Sequence, residues 1–587
     1  MSMRTRFEIV GREPDPARKF ACRRMIVGPW LSQPEQFPGY NGFVGWSGVT
    51  VLKSGRWLVT FNAGYWHASM PVTEAILEDP ACRAQFDRHL RMGCPDLESP
   101  RGGRTFLMHS DDGGLTWSTP RVIIDTEHTD CHAMIAEMDN GALLCSWYVE
   151  DLPDVCVATH MRSHDGGETW GEHRTFSAGA RAAGNESALV LSDGTVLHAL
   201  YGYYRGEEGR SWEAVGIHRS RDHGETWERI AVVGNDDHHM HEQSLAELPD
   251  GRIVLISRAH GDIAWSEDGG ETWTEPESIG ISIYDPHLIV TPDGVLAAFA
   301  GSYFGGGLRV TLSPDGGRTW HGPGDHYGYD VDASAYGYNH PILLDDGSVY
   351  VIYQSTGGHH THHARTMALW GVRVKVSPAA DGIEMLPARG SPADIGYEAA
   401  YDMVVNQDGP ASHRAPTRRS AHDDPRLEGD EVFDRHWTRH AVIAPLPRDG
   451  WKFRKDRARV GEEKGWARPG IDLDGWHDIR IGDWWDAFGF HHLGTAWYRL
   501  EWTVPEEAER YPQRLLAFGA VDGECAVYVD GAFAGAPDHG FDGWETPFEI
   551  DVTSQLAPGS SVVIAVKVRN STGPAGIWRS VKLIAPP

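Results

Sequence analysis

Cysteine is scarce in this sequence and follows no pattern. The 587 residues contain only seven cysteines, and no two of them form a CxxC pair. Zinc ribbons and small disulfide-stabilised domains depend on closely spaced cysteines, so neither architecture is expected. The fold must instead be stabilised by hydrophobic cores, and the chain is long enough to form several.

Positive charge and long apolar segments are also lacking. The sequence has 53 Lys and Arg against 83 Asp and Glu, which gives a formal net charge of −30. This excess of negative charge argues against nucleic acid and anionic membranes as partners. No run of about 18 apolar residues is present that would span a bilayer, and the opening MSMRTRFEIV lacks the basic-then-apolar pattern of a secretion signal. We therefore expect a cytoplasmic protein.

Glycine and tryptophan are abundant by contrast, and they recur in a short repeat. The motif S-x-D-x-G-x-T-W occurs at Ser110–Trp117, Ser163–Trp170, Ser220–Trp227, Ser266–Trp273 and Ser313–Trp320. Its Asp can accept hydrogen bonds from nearby backbone N–H groups, its Gly can adopt a positive φ, and its Trp can pack against the turn. We interpret each copy, called an Asp box below, as a hairpin turn whose aspartate is structural.

A second repeat lies between the Asp boxes and consists of two apolar runs joined by a turn that ends in glycine. Its turn glycines are Gly55, Gly141, Gly194, Gly251, Gly294 and Gly347. Six such units, each followed by a further strand, predict a six-bladed β-propeller over residues 1–400. The sixth unit lacks an Asp box, and Leu369–Ser377 is expected to supply its third strand. An insertion near Glu74–Arg101 is expected to form a lid or rim loop.

Equivalent positions of the six units carry side chains suited to a pocket. The innermost strand of each blade should reach the central channel at an equivalent point, nine residues before the turn glycine. These positions hold Trp46, His132, Asn185, Glu242, Asp285 and Tyr338. A second ring, seven residues after each glycine, holds Asn62, Tyr148, Tyr201, Arg258, Gly301 and Gln354. Asp130, Glu186 and His287 lie beside these rings in the sequence.

The composition of the two rings indicates a sugar-binding pocket. Five of the six residues in the first ring are polar or ionisable, whereas strand interiors usually favour aliphatic side chains. Aromatic faces combined with planar hydrogen-bonding groups are suited to binding sugars. We therefore predict that the substrate is an oligosaccharide or a glycoconjugate.

The Asp boxes and the six units resemble the sialidase (neuraminidase) superfamily over roughly residues 40–380. Glu242–Arg258 is similar to the sialidase segment that supplies a Glu and, sixteen residues later, an Arg. Ser334–Gly347 is similar to the segment that carries the tyrosine nucleophile, which falls on Tyr338. The resemblance implies that Glu242 is the base partner of Tyr338 and that Arg258 binds a substrate carboxylate.

This sequence also departs from the sialidase pattern at the carboxylate clamp, for which sialidases use three arginines. Asn41–Val49, where the first arginine is expected, contains none, and Arg309 is out of register with the third. Gln354 occupies the position that usually holds a Glu bracing the first arginine. An acidic or neutral sugar other than sialic acid is therefore the expected substrate.

The general acid and the reaction class stay open at this point. Glycoside hydrolysis needs an acid that protonates the leaving oxygen, and Asp285 and His132 have the best register, followed by Asp130. Without a tyrosine nucleophile, Glu242 and Asp285 would form a carboxylate pair. A lyase alternative pairs Arg258 with His132 or Tyr338 in β-elimination from a uronic acid. A third alternative is a non-catalytic, glycan-binding propeller.

Every ring position except Gly301 therefore has a predicted role. The predicted catalytic residues are Tyr338, Glu242, Asp285 and His132. The predicted substrate-binding residues are Arg258, Trp46, Asn185, Glu186, Asn62, Tyr148, Tyr201, Gln354, Asp130 and His287. The histidine clusters His238–His241 and His359–His363 lack a clear metal-ligand spacing. We therefore predict no metal and no cofactor.

The repeats stop near residue 380, and a different pattern follows. Residues 401–444 are polar, charged and proline-bearing, which predicts a linker or wrapping segment. Residues 445–587 contain alternating strands with Asp-Gly turns, which predict an antiparallel β-sandwich. The order W-Y-R, V-D-G, D-V-T and V-x-V-x-N resembles the galactose-binding-like jelly roll of family 2 glycoside hydrolases. That resemblance implies a domain that packs against or borders the catalytic part.

Overall fold

The computed structural model divides the chain into two compact units, residues 1–417 and 418–587. The part of the chain that it describes comprises residues 5–14, 21–27, 43–64, 103–126, 128–151, 155–176, 182–204, 213–234, 238, 240–258, 260–302, 307–324, 327–333, 335, 337–354, 368–391, 436–456, 459–488, 490, 492, 494–537, 544, 546–570 and 575–587. The predicted insertion at Glu74–Arg101 and the cluster His359–His363 lie outside these residues, as does most of the predicted linker.

The described residues of the first unit form six β-sheets. Two short strands near the start, β1 (Arg6–Ile9) and β2 (Arg24–Val27), join sheets that are completed much later in the chain. Sheet 1 consists of β3 (Phe43–Val51), β4 (Trp57–Gly64), β5 (Arg104–Ser110) and β6 (Arg121–Ile124). Sheet 2 consists of β7 (Thr129–Glu137), β8 (Leu143–Asp151), β9 (Val155–Ser163) and β10 (Arg174–Thr175).

The next two sheets repeat this antiparallel order. Sheet 3 consists of β11 (Ala182–Ala183), β12 (Leu189–Val190), β13 (Val196–Tyr203), β14 (Glu213–Ser220) and β15 (Glu228–Val233). Sheet 4 consists of β16 (His241–Glu247), β17 (Ile253–Arg258), β18 (Asp262–Ser266) and β19 (Glu277–Ser278).

The last two sheets of this unit each include one strand from the start of the chain. Sheet 5 consists of β20 (Ile283–Val290), β21 (Leu296–Ser302), β22 (Leu308–Ser313), β23 (Thr319–Gly322), β24 (Tyr329–Asp332) and β1, which pairs with β23 in parallel. Sheet 6 consists of β25 (Asn339–Leu343), β26 (Val349–Gln354), β27 (Leu369–Val376), β28 (Ile383–Leu386) and β2. The prediction that Leu369–Ser377 supplies a third strand is confirmed by the pairing of β27 with β26.

Strands of successive sheets lie against one another. Strand β3 contacts β7, β7 contacts β12, and β13 contacts β16 in the next step. Strand β16 contacts β20, β20 contacts β25, and β25 contacts β3. Sheet 6 therefore packs against sheet 1, and strands that are far apart in the sequence lie close together.

Each Asp box forms the turn that its residues predict. In the first box Asp112 accepts hydrogen bonds from Thr116 N at 2.8 Å and from Thr116 Oγ1 at 2.6 Å. The Ser110 hydroxyl donates to Asp112 at 2.7 Å and accepts from Gly114 N at 2.9 Å. The other four boxes repeat the bond from threonine N–H to aspartate. The interpretation of these aspartates as structural is confirmed.

The second unit contains two antiparallel sheets around one core. Sheet 7 consists of β29 (Ala441–Pro445), β33 (Leu515–Phe518), β36 (Phe548–Asp551) and β38 (Val581–Ala585). Sheet 8 consists of β30 (Trp451–Lys455), β31 (His477–Ile479), β32 (Gly494–Thr503), β34 (Glu524–Val529), β35 (Ala532–Gly535) and β37 (Ser561–Asn570). Two short 3-10 helices are Trp485–Phe488 and Glu506–Arg510. Both sheets contribute buried residues to the core, such as Leu583 from sheet 7 and Phe453 from sheet 8.

The described part of the chain is thus built of β-sheets in both units, and the all-β prediction is confirmed. Within it, none of the helices has the length and apolar character required to cross a membrane.

Candidate active site

A shared backbone distortion marks the predicted first ring. Trp46, His132, Glu242 and Asp285 have positive φ values of 48°, 51°, 44° and 48°. Each residue lies at a shift in strand register, where its strand bulges against its neighbour. A positive φ costs a residue other than glycine or asparagine on the order of 1–3 kcal/mol, and such strain concentrates at functional sites. The same distortion at equivalent points of four sheets indicates a common structural purpose.

Three of the predicted residues meet in one hydrogen-bonded group. The Tyr338 hydroxyl donates to Glu242 Oε1 at 2.8 Å. Arg258 Nη1 donates to the same oxygen at 2.6 Å. Tyr338 and Glu242 are 96 residues apart in the sequence; Tyr338 directly precedes β25 of sheet 6, and Glu242 lies on β16 of sheet 4. The predicted register therefore places a phenol, a carboxylate and a guanidinium in direct contact.

The surroundings of Glu242 keep its carboxylate ionised. Burial alone would raise its pKa, but the positive charge of Arg258 and the hydrogen bond from Tyr338 are among the interactions that outweigh burial and lower the pKa to about 2. An ionised carboxylate accepts a hydrogen bond from a phenol. The phenol itself has a pKa of about 10 in water and keeps its proton at neutral pH. Glu242 is thus ionised, and accepts the hydrogen bond from Tyr338, over the whole neutral range.

Asp285 is buried beside this group and is held from several directions. Its Oδ1 accepts from Asn185 Nδ2 at 3.0 Å and its Oδ2 accepts from Asn339 N at 2.9 Å. Its own backbone N–H donates to Glu242 Oε2 at 3.0 Å. His287 Nε2 lies 3.4 Å from Asp285 Oδ1. Burial alone would lower the pKa of His287, but Asp285, together with the charges of Glu186 and Glu242, outweighs burial and raises it.

Aromatic rings line another part of the predicted pocket. The His132 ring stacks on Trp46 with centroids 4.7 Å apart, and lies 5.7 Å from the rings of Tyr148 and Tyr338. Tyr201 packs against this cluster. Burial lowers the pKa of His132 to about 4, so its imidazole is neutral at neutral pH.

Two amide side chains of the second ring bind backbone groups. Asn62 Nδ2 donates to the carbonyl oxygen of Asp130. Gln354 Oε1 accepts from Trp46 N at 3.0 Å. Both amides are 1% exposed. In the structure these two bonds join adjacent sheets, and the predicted contact of the two amides with substrate stays a prediction.

Two predicted carboxylates are also directed into the protein. Asp130 accepts from Thr126 N at 2.8 Å and from Thr126 Oγ1 at 2.9 Å, and burial raises its pKa to about 6. Glu186 accepts from the Ser244 hydroxyl and from Leu245 N, and burial raises its pKa to about 7. Both side chains support strands around the site.

Tyr284 is a site residue that the sequence analysis missed. Its ring lies 5.7 Å from the Tyr338 ring, and Arg258 Cζ lies 5.9 Å from its centroid. A Cβ atom at Gly301 would come within 2.2 Å of this ring, so only glycine leaves room for it. The pairing of a large residue just before Asp285 with a glycine in the second ring was the available signal.

Arg309 lies elsewhere, as its register suggested. Its Nη1 donates to Glu13 Oε1 at 2.9 Å and to the Gly328 carbonyl oxygen at 3.0 Å. Across the described ranges, no group of three or more His, Cys, Asp or Glu side chains has the geometry of a metal site.

Comparison with known proteins agrees with these motifs. The family model described as a BNR repeat-like domain matches residues 104–302. A sialidase of Micromonospora viridifaciens is 31% identical over 225 residues, which cover 32% of this chain and 34% of that protein. The resemblance to the sialidase superfamily is confirmed.

A second relative matches a smaller part of the chain. A β-glucuronidase of Formosa agariphila is 31% identical over 102 residues, which cover 17% of this chain and 10% of that protein. Similarity to glucuronidases lies in the C-terminal region. The chain spans about a third and a tenth of the lengths of these two relatives.

Solved structures include two with broad coverage. A Dyadobacter fermentans protein of unknown function is 18% identical, with a TM-score of 0.44, over 62% of this chain and 99% of that one. The Hadza microbial sialidase Hz136 is 16% identical, with a TM-score of 0.40, over 60% of this chain and 66% of that one.

Proposed function

We propose that the first unit is a six-bladed β-propeller and that the second is a galactose-binding-like jelly roll. The six described sheets of the first unit, with β25 packed against β3, support the closed ring. The common core of sheets 7 and 8 supports the β-sandwich.

The proposed activity is that of a sialidase-like exo-glycoside hydrolase that removes a terminal acidic sugar from an oligosaccharide. The observation that carries this proposal is the bond of 2.8 Å from the Tyr338 hydroxyl to Glu242. A nucleophile within hydrogen-bonding distance of its base, with the base oriented by a third group, is the signature of covalent catalysis. Arg258 is the orienting group here.

In the proposed reaction the Tyr338 oxygen attacks the anomeric carbon while its proton passes to Glu242. The bond to the leaving oxygen breaks, and a general acid protonates that oxygen. Water then attacks the anomeric carbon of the glycosyl-tyrosine intermediate and gives a proton to the deprotonated general acid. The bond to Tyr338 breaks, its oxygen takes back the proton from Glu242, and the sugar is released. A neutral phenol suits an acidic sugar because a carboxylate nucleophile would be repelled by the substrate's own carboxylate.

Arg258 is proposed to bind the carboxylate of the sugar. A guanidinium offers two parallel donors to a carboxylate, which gives both strength and orientation. A single clamp favours a uronic acid or a similar sugar over sialic acid, which sialidases hold with three arginines.

β-Elimination from a uronic acid is the second candidate, and the state of His132 favours it. Its Nδ1 is buried and has no hydrogen-bond partner among the described residues. Since its low pKa keeps the ring neutral, His132 is suited to take a proton from C5 of the sugar. Tyr338 would then protonate the leaving group.

A substrate screen separates the two reactions. Oligosaccharides with terminal uronic acids, other acidic sugars and neutral sugars are incubated with the protein, and products are tested for new reducing ends and for ultraviolet absorbance of an unsaturated sugar. New reducing ends without that absorbance support hydrolysis, and the absorbance itself supports elimination. Wild-type protein that binds these glycans but turns none over would contradict both reactions.

A further inference from the structure

Asp285 forms hydrogen bonds with both segments that carry the proposed catalytic pair, Tyr338 and Glu242. Its two carboxylate oxygens accept from Asn185 Nδ2 and from Asn339 N. Asn339 is the residue directly after Tyr338. The carboxylate therefore fixes the backbone that carries the proposed nucleophile.

The backbone of Asp285 fixes the other half of the pair. Its N–H donates to Glu242 Oε2 at 3.0 Å, while Glu242 Oε1 receives the Tyr338 hydroxyl. The positive φ of 48° directs the Asp285 side chain and its N–H toward these different partners. Asp285 thus connects the segments that bear Tyr338 and Glu242, which are 96 residues apart.

The burial of Asp285 also argues against proton donation to a substrate. The residue is 2% exposed, and donors already occupy both of its oxygens. A general acid must instead reach the leaving oxygen with a proton to donate.

We propose that Asp285 is the positioning residue that holds Tyr338 and Glu242 in register, and that it is not the general acid. This inference rests on the proposed glycosidase function, but part of its test does not depend on activity.

The kinetic test uses two glycosides of one sugar from the screen, with 4-nitrophenol and with benzyl alcohol as leaving groups. The activated leaving group needs little protonation, so loss of a general acid would harm the benzyl glycoside more, by about 100-fold or greater. For Asp285→Ala we expect similar losses of kcat on both substrates, within about threefold of each other. A selective loss on the benzyl glycoside would overturn the proposal.

Asp285→Asn provides a conservative comparison. Its Oδ1 can still accept from Asn339 N, and the Asn185 amide can rotate so that its Oδ1, which has no hydrogen-bond partner within the described residues, faces the new amide. We expect this variant to keep at least about fivefold more activity than Asp285→Ala, because one hydrogen bond is preserved. Equal losses in both variants would contradict a positioning role. Asp250→Asn, in an exposed turn, is the matched control.

A crystal structure of Asp285→Ala tests the positioning role of Asp285 without any substrate. The expected result is that the distance from Tyr338 Oη to Glu242 Oε1 increases beyond the hydrogen-bonding limit of about 3.5 Å. An unchanged distance would show that Asp285 does not position the pair. Failure of the wild-type protein to act on any glycoside would count against the proposed function, and the crystallographic result would still decide the role of Asp285.

Discussion

Two buried aspartates, one in each unit, show how differently the same side chain is used. Asp456 in the second unit accepts from Val460 N and Gly461 N, four and five residues ahead, and from Trp497 Nε1. Asp285 in the first unit accepts from residues 100 and 54 positions away. Asp456 stabilises a local turn and bonds to a residue of a neighbouring strand. Asp285, in contrast, connects separate sheets beside a phenol, a guanidinium and an imidazole.

The surroundings of the two carboxylates differ in the same way. The core of the second unit is built from large apolar side chains, such as Trp451, Phe453 and Trp485, with no exposed surface. The corresponding centre of the first unit holds Glu242, His132 and His287, with four strained backbone positions nearby. Strain and buried ionisable groups reduce stability. Their concentration in the first unit supports the proposal that this unit contains the active site and that the second unit has a structural role.

Removing one hydroxyl from each unit should separate these roles most strongly. Tyr338→Phe is expected to lower kcat by about 10⁴-fold or more, because the nucleophile is lost while the ring remains. Tyr528→Phe, which removes a hydroxyl that donates to Glu462 in the second unit, should leave kcat unchanged. Steady-state kinetics and thermal unfolding measure both effects. Full activity of Tyr338→Phe would refute the assigned mechanism.

Exchange of the buried aspartate in the second unit should show the opposite pattern. Asp456→Ala leaves two backbone N–H groups and one indole N–H without their acceptor. Each lost bond to a charged group costs about 1.5–3 kcal/mol, with partial compensation by water, so we expect a loss of about 3 kcal/mol in the free energy of unfolding. Denaturant unfolding measures it, and kcat under folding conditions should stay at the wild-type value. A large loss of kcat in folded protein would break the distinction between the units.

The strands and the contact group were predictable because they depend on local signals. Asp-Gly turns and the Asp boxes locate the hairpins, and a constant offset from the turn glycine identifies positions that meet across sheets. Glu242, Tyr338 and Arg258 are in contact as the register predicts. Because the units repeat, equivalent offsets within them identify residues that lie close together although they are far apart in the sequence.

The remaining features of the site depend on partners far apart in the sequence. No local pattern shows that Asp285 accepts from Asn185 and Asn339, or that Asn62 and Gln354 bind backbone groups. The positive φ values arise from bulges between paired strands, which alternating hydrophobicity does not reveal. Sequence reasoning therefore identified the residues of the site more readily than their orientation.

The titration of His132 sharpens the contrast between the two reactions proposed for the first unit. Its pKa is lowered to about 4, so its protonated fraction falls about tenfold per pH unit above that value. With Asp285 assigned to positioning, hydrolysis with His132 as the acid predicts that kcat/KM falls as pH rises above about 4. Elimination with His132 as the base predicts that kcat/KM falls as pH decreases below about 4, because protonation removes the base.

The matching variant is His132→Gln, in which this pH dependence should disappear. Folding must be monitored in parallel, because a histidine with a lowered pKa removes stability as pH falls from its ordinary value of 6.5 toward 4. A pH profile that is unchanged in His132→Gln would assign the titration to another group.

The smallest expected effect concerns the Asp boxes, which contribute stability to the first unit without chemistry. Hydrogen bonds from Thr169 and Ser163 lower the pKa of Asp165 below its ordinary value of 3.8. The stability that this carboxylate contributes is therefore complete above pH 3.8 and is lost as pH falls toward the lowered pKa. Asp165→Ala should lower the melting temperature at pH 6, and the difference from wild type should shrink below pH 3.8. Asp293→Ala, in an exposed turn outside the boxes, is the matched control. Asp165 has no assigned role in the chemistry of Glu242 and Arg258, so kcat at pH 6 should be unaffected. A loss of kcat would mean that the turns of the sheets also position the pocket.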